Sequence, residues 1–535
     1  MIPESASTTV EQTSDSNWQA PWPGTKEMPH WTTGELPPAP VFTWRHLPTL
    51  LGPGLVMGAA AVGGGEWLTG PLVTARYGGA LLWLATISIC CQVIYNIEIS
   101  RYTLYTGEPI FTGKFRLFPG PYVWPFLYLL VDLGSFLPYL CSNAAIPLTS
   151  LFLGHLPDLE KDQLLLRLVG SGILLLTLVP LIFGGKVYRS LKLIMSIKLV
   201  VVIGFLGFLA VGYSTWDTWR EIGSGFFRFG TLPYKPAEPG GDPQLLNALY
   251  GWWNGISMPA IDFSMIGMVT AMAAIAGNGG LTNTPVSNFT RDQGWGMGKQ
   301  VGAIPSIVGG RSIQLSHVGK VFRVTTDSLK RWFGWVNHVQ REQFLVWMPA
   351  CFLGMALPSM LSVQFLPRGT IVEDKWLAAG MTAEGVATAV GPHLGSLFWG
   401  LTLFCGFLVL STSALTTTDG ALRRWVDVAW TASPRLRTWD THWIGKLYFA
   451  CLCGYAAFGL VMINLVKGDN LLIWTTMFYN YALGLSSLHV LFVNKLLLPK
   501  ELQPSIWRCA GLLMAFSFFT LIALLATAHT LGMFK

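Results

Sequence analysis

The sequence predicts an all-α polytopic membrane protein of about 11 transmembrane helices, and three observations carry that reading. Only 12% of the 535 residues are charged while 52% are hydrophobic, about half the charge of a soluble globular chain. Many apolar runs are long enough to cross roughly 30 Å of hydrocarbon, and they lack the apolar/polar alternation of a β-barrel. The loops between them alternate between basic and weakly acidic, as lysine and arginine bias requires of a chain that crosses the membrane repeatedly.

Residues 1–44 are rich in Ser, Thr, Pro and Glu without helical period, which predicts a disordered cytoplasmic tail. Its Trp18, Trp22 and Trp31 are expected to be solvated or to touch the membrane surface. The transporter domain is expected over 45–533, with apolar runs at 50–73, 80–105, 122–153, 164–184, 191–213, 256–293, 343–366, 395–422, 443–466, 470–497 and 505–533. With the N-terminus inside, the inner loops carry Lys114 and Arg116, then Lys186, Arg189 and Lys192, then a long basic loop at 294–342, then Arg423, Arg424, Arg435 and Arg437. The opposite loops carry Asp158, Glu160, Asp162, Asp217, Glu221, Glu373, Asp374 and Glu384. The expected placement is multi-pass in the cell (inner) membrane, with a cytoplasmic N-terminus and the C-terminus outside.

In the long loop, Leu329, Trp332, Phe333 and Val336 recur at helical spacing after Thr326-Asp327-Ser328, predicting a helix lying on the inner membrane surface. The eight cysteines lie in apolar runs and are expected to be free thiols, without a zinc or disulfide framework. The net charge of +7 reflects inner-loop lysines and arginines rather than a nucleic-acid partner. The expected partners are the lipid bilayer and a metal ion or small solute. No catalytic triad or hydrolytic carboxylate pair is visible, so an enzyme is not expected.

Two runs are interrupted. The first holds Gly63-Gly64-Gly65-Glu66, and the sixth holds Gly277-Asn278-Gly279-Gly280 before Leu281-Thr282-Asn283-Thr284-Pro285. Consecutive glycines are poor helix formers, and a helix broken at membrane depth must line something polar. Glu66, the only acid beside either break, adds an ionisable group at that depth, where a site is the default hypothesis. Broken first and sixth spans separated by five-span blocks resemble inverted-repeat transporters of the LeuT type, with repeat one at about 47–214, repeat two at about 245–498 and an extra helix at 505–533. The breaks then meet near the midplane, where carbonyls offer cation ligands and amides offer anion ligands. Gly63, Gly64, Gly65, Glu66, Gly277, Asn278 and Gly279 are therefore the candidate binding residues.

In a LeuT-type fold the eighth span faces the first break. Ser411, Thr412 and Ser413, with carbonyls near Ala59 to Val62, are thus a candidate second ion site for sodium, although such hydroxyls also bond their own helix. In the second span, Asn96, Glu98 and Arg101 form a candidate polar network, with Glu98 and Arg101 spaced for an intrahelical pair.

These residues resemble the Nramp family of divalent metal transporters. Leu51-Gly52-Pro53-Gly54 and the break that follows look like that family's first span, with Gly63-Gly64-Gly65-Glu66 in the place of Asp-Pro-Gly-Asn. Asn96-Ile97-Glu98-Ile99-Ser100-Arg101, closing at Thr106-Gly107, looks like its second span, and Gly277-Asn278-Gly279 falls over its Met-Pro-His. The resemblance implies a divalent metal cation as cargo and no permanently bound cofactor. The departures lie on the site: Gly63 replaces the metal-binding Asp, Glu66 the Asn and Gly277 the metal-binding Met. Oxygen ligands suit hard ions such as magnesium, whereas a thioether favours softer metals, so magnesium is expected over manganese or iron. Asp132 matches an acidic position of the family, but Tyr139, Ser142 and Gly279 stand where its proton-carrying groups fall. Asn96, Asp132 and Tyr139 remain a candidate polar route, and proton coupling of the family's kind is not expected. The alternatives are a sodium-coupled symporter of a small solute and a non-transporting membrane sensor.

Overall fold

The computed structural model describes residues 18–43, 63–183, 187–236, 242–301, 318–372, 374–438 and 441–533. The first half of the first span, with Leu51 to Gly54 and the carbonyls of Ala59 to Val62, lies outside the described residues, as do 1–17 of the tail and 302–317 of the long loop.

A short strand β1 (Thr32–Thr33) precedes the helices, which follow as α1 (Gly64–Tyr77), α2 (Trp83–Thr106), α3 (Ile110–Arg116), α4 (Trp124–Val131), α5 (Tyr139–Leu153), α6 (Gln163–Phe183), α7 (Val187–Gly212) and α8 (Trp216–Gly225). A hairpin of β2 (Thr231–Tyr234) and β3 (Gln244–Asn247) leads to the sixth span, which is split into α9 (Ile266–Ile275) and α10 (Pro285–Asp292). Then come β4 (Lys320–Val321), α11 (Thr326–Glu342), α12 (Met348–Phe365), α13 (Ala383–Val390), α14 (Gly395–Ala432), α15 (Thr441–Leu465), α16 (Gly468–Leu497) and α17 (Ile506–Thr530).

Among the described residues, 7 helices are long and apolar enough to cross a membrane. The remaining expected runs correspond to α1, to α7, to the divided α9 and α10, and to α16, whose face carries Thr475, Thr476, Asn480 and His489. The third run is irregular at its centre, where a short 3-10 turn over Leu133–Phe136 separates α4 from α5. α1 packs on α12, α14 and α9, while α6 turns Leu164, Leu168, Leu175 and Val179 outward, as a helix facing hydrocarbon does.

Two expectations are corrected. Residues 18–43 of the expected disordered tail have a defined path: β1 pairs in parallel with β4, and Met28, Trp31 and Leu36 are buried. Trp31 lies against the Arg116 guanidinium, Arg116 donates to the Pro29 carbonyl, and Trp335 donates to the Pro37 carbonyl. Polar composition concealed this because a few large anchors on a neighbouring surface suffice to hold an extended segment. The amphipathic helix exists as α11, capped by Thr325 and Ser328, but Trp332 and Val336 of the expected stripe are covered by protein together with Trp335 and Val339, Leu329 is half-buried, and only Phe333 faces outward. It continues through a π-helical turn, Gln343–Trp347, into α12.

Candidate functional site

Gly63 is extended (φ −107°, ψ 175°), Gly64 begins α1, and Glu66 sits in the first turn, where the helix dipole favours a carboxylate. Gly64 and Gly65 are therefore helical residues, and close packing explains them. A Cβ on Gly64 would fall 2.3 Å from Leu140 Cδ2, and one on Gly65 2.3 Å from Ile275 Cδ1. That approach brings the start of α1 against the end of α9. Glu66 is 2% exposed, and its Oε1 accepts a hydrogen bond from the Gly277 amide at 3.3 Å. The two predicted breaks thus meet through one carboxylate.

The sixth-span break owes its shape to glycine. Gly277, Gly279 and Gly280 take φ of +107°, +34° and +60°, a region that side-chain-bearing residues rarely adopt. The peptide groups freed there are satisfied by Gln92 on α2, which sequence reasoning missed. Gln92 Nε2 donates to the Ala276 carbonyl at 2.8 Å and to Ser88 Oγ at 3.0 Å, while Oε1 accepts from the Asn278 amide at 3.0 Å and from Asn283 Nδ2 at 2.8 Å. All this lies away from water, where each unmade bond would be costly. Tyr479 on α16 closes the other side, its ring against the α-carbons of Gly279 and Gly280. Asn278 itself is half-buried.

A second residue missed from sequence is Lys198 on α7. It is fully buried, donates to Ser413 Oγ at 3.1 Å and lies within electrostatic reach of Glu66. Of the candidate second ion site, Ser411 and Thr412 donate to their own helix at Phe407 and Leu408, 2.7 Å each, leaving Ser413 to the lysine. Cys351 on α12 is also buried within electrostatic reach of Glu66. Among the described residues no group of three or more His, Cys, Asp and Glu is gathered to hold a metal ion. A cation here would rest on one carboxylate and neutral oxygens.

The candidate polar route is divided. Tyr139, at the start of α5, is within electrostatic reach of Glu66 and Tyr479. Asp132 is saturated: Arg424 donates to its two oxygens at 2.8 and 2.9 Å, Ser135 at 2.7 Å and Trp425 at 2.9 Å. Arg424 also donates to the Leu281 carbonyl at 3.3 Å, which ties this pair to the sixth-span turn. Asn96 instead donates to Gln343 of the π-helical turn at 3.0 Å. The Glu98–Arg101 pair forms at 2.8 Å and is extended by Arg508 at 2.9 Å and by Asn494.

A divided sixth span, pinned by the second span and facing a buried acid at the start of α1, defines an all-α polytopic membrane protein with an Nramp-like fold of the LeuT type. No family model matches the sequence, and no curated protein does. The fold is similar to the manganese transporter of Eremococcus coleocola bound to an aromatic bis-isothiourea substituted compound, at 13% identity over 91% of this chain and 88% of that chain, with a TM-score of 0.53. A single-substitution form of that transporter matches at 13% identity over 94% and 91%, with a TM-score of 0.55. At such identity the likeness speaks for the fold, and the chemistry must be read from this chain's own residues.

Proposed function

We propose that this chain is a secondary transporter of a hard divalent cation such as magnesium, held between Glu66 and the oxygens of the 276–280 break, the backbone carbonyls and the Asn278 side chain. The observation that carries the reading is Glu66: a buried carboxylate in the first turn of α1 that reaches the Gly277 amide. An intramembrane acid at the meeting point of two irregular segments is placed to bind a cation and to change its partners when the halves of the fold move. Oxygen donors without a thioether favour magnesium or calcium over manganese.

One observation favours a second reading. Lys198 supplies a positive charge within reach of Glu66, which weakens attraction for a divalent ion and suits a small polar solute received by the amides of the break. Counterflow into proteoliposomes separates the two, using magnesium, calcium, manganese and a panel of small solutes as exchange partners. The cation reading expects magnesium or calcium to exchange, and to compete at least as well as manganese. Exchange confined to uncharged solutes would overturn it, and binding without flux would favour a sensor. Should manganese prevail, Cys351 is the nearby soft group, and Cys351→Ser would then remove that preference.

A further inference from the structure

The group at Ser413 is the side-chain nitrogen of Lys198, and it stands where a free ion was expected. Lys198 lies in an apolar stretch of α7 flanked by Ile197, Leu199 and Val200, yet it is wholly buried while Ile197 and Val200 face outward. A lysine at such depth is costly and calls for a partner. Among the described residues its partners are Ser413 Oγ at 3.1 Å and, through space, Glu66. The neighbouring hydroxyls, Ser411 and Thr412, are turned to the carbonyls of Phe407 and Leu408.

We propose that Lys198 is a tethered cation that takes the place of sodium at Ser413, so that this chain binds no sodium there and cycles without it. A sodium ion on the same hydroxyl would lie within a few ångströms of Nζ. Two unit charges about 4 Å apart at an effective dielectric near 20 repel enough to lower occupancy roughly a thousandfold. Meanwhile the ammonium supplies the positive charge that Glu66 needs when no cargo is bound. In a carrier with a free second ion, that ion must enter and leave in each cycle; here the charge stays with the chain and only its distance from Glu66 can change. The inference rests on reading the two breaks as a transport site, but its test does not require transport.

The test is the melting temperature of the purified full-length protein in sodium chloride and in choline chloride at equal ionic strength, since an ion that binds the folded state raises it. Wild type is expected to melt at the same temperature in both salts, and Lys198→Arg likewise. Lys198→Ala, which empties the position and leaves Ser413, is expected to melt lower in choline and to be raised by sodium. Lys198→Met, which fills the volume without charge, is expected to melt lower in both. Sodium stabilisation of wild type would overturn the proposal, as would a folded Lys198→Ala protein indifferent to sodium. If Lys198→Ala does not fold, the wild-type and Lys198→Arg measurements still decide. Failure of the transport reading would appear in counterflow and leave these melting temperatures unchanged.

Discussion

Gln92 performs at one position what a regular helix would do over several residues. Its amide meets the Ala276 carbonyl, the Asn278 amide and Asn283 around the break. Gln92→Leu keeps the volume and leaves those groups unmade, at about 1–3 kcal/mol each. The expected outcome is a lower melting temperature and lost uptake, whereas Gln92→Glu, which retains the acceptor, should be less damaging; equal melting of Gln92→Leu and wild type would show that water replaces the side chain. Gly277 is legible in the sequence because a glycine cluster in an apolar run is a local signal. Gln92 is not, because its partners at the break lie 184 to 191 residues away and nothing near it in the chain marks them. Lys198 is intermediate: an intramembrane lysine is a local signal, but its position beside the loop residue Lys192 allows it to pass as a topological charge.

At the scale of elements, two ion pairs hold the pieces that regular packing does not. Asp132–Arg424 joins the irregular third span to α14 inside the protein, with both side chains nearly inaccessible. Removing one member leaves the other buried and unpaired, so Asp132→Asn should cost about 3–5 kcal/mol, read as an earlier chemical-denaturation midpoint. A loss below ~1 kcal/mol would mean that Asp132 is not the structural clamp its four hydrogen bonds describe. On the other face, Glu221 of α8 takes a fork from Arg368 and the Gly79 amide at 3.1 Å. Burial works against its charged form, but the Arg368 and Gly79 hydrogen bonds outweigh burial and hold the carboxyl below its ordinary value near 4.5. A depressed folded-state value gives stability above that ordinary value, and the stability is lost as the pH falls through the folded value. Wild type should therefore melt modestly above Arg368→Gln at neutral pH, the gap being limited by solvent screening, and the two should converge toward pH 4 or below. A gap that widens with acidification would contradict the assignment. Neither pair was legible beforehand, since apolar runs report which segments cross but not which charges face each other inside.

The whole molecule shows the same division between pattern and partner. Apolar runs located the spans well, because hydrocarbon imposes length and composition on each one separately. The segment at 18–43 escaped because it is held by other parts of the chain: Trp31 beside Arg116, Leu36 beneath Arg331, and β1 along β4. Limited proteolysis of the full chain should spare this segment in wild type. Trp31→Ala, which removes a buried aromatic at about 3–5 kcal/mol, should open it to cleavage. Equal cleavage of both proteins would mean that the segment is not held by its tryptophan.

At the scale of the whole molecule, the start of α1 and the sixth-span break converge on Glu66, the proposed cation-binding carboxylate. The most direct test is uptake of magnesium into proteoliposomes containing wild type or Glu66→Gln, matched for protein amount and melting temperature. Glutamine keeps the shape and can still meet the Gly277 amide but carries no charge, so uptake should fall to the level of empty liposomes while the melting temperature holds. Uptake at the wild-type rate in Glu66→Gln would contradict the account and leave Glu66 as an acid that does no more than complement the start of its helix.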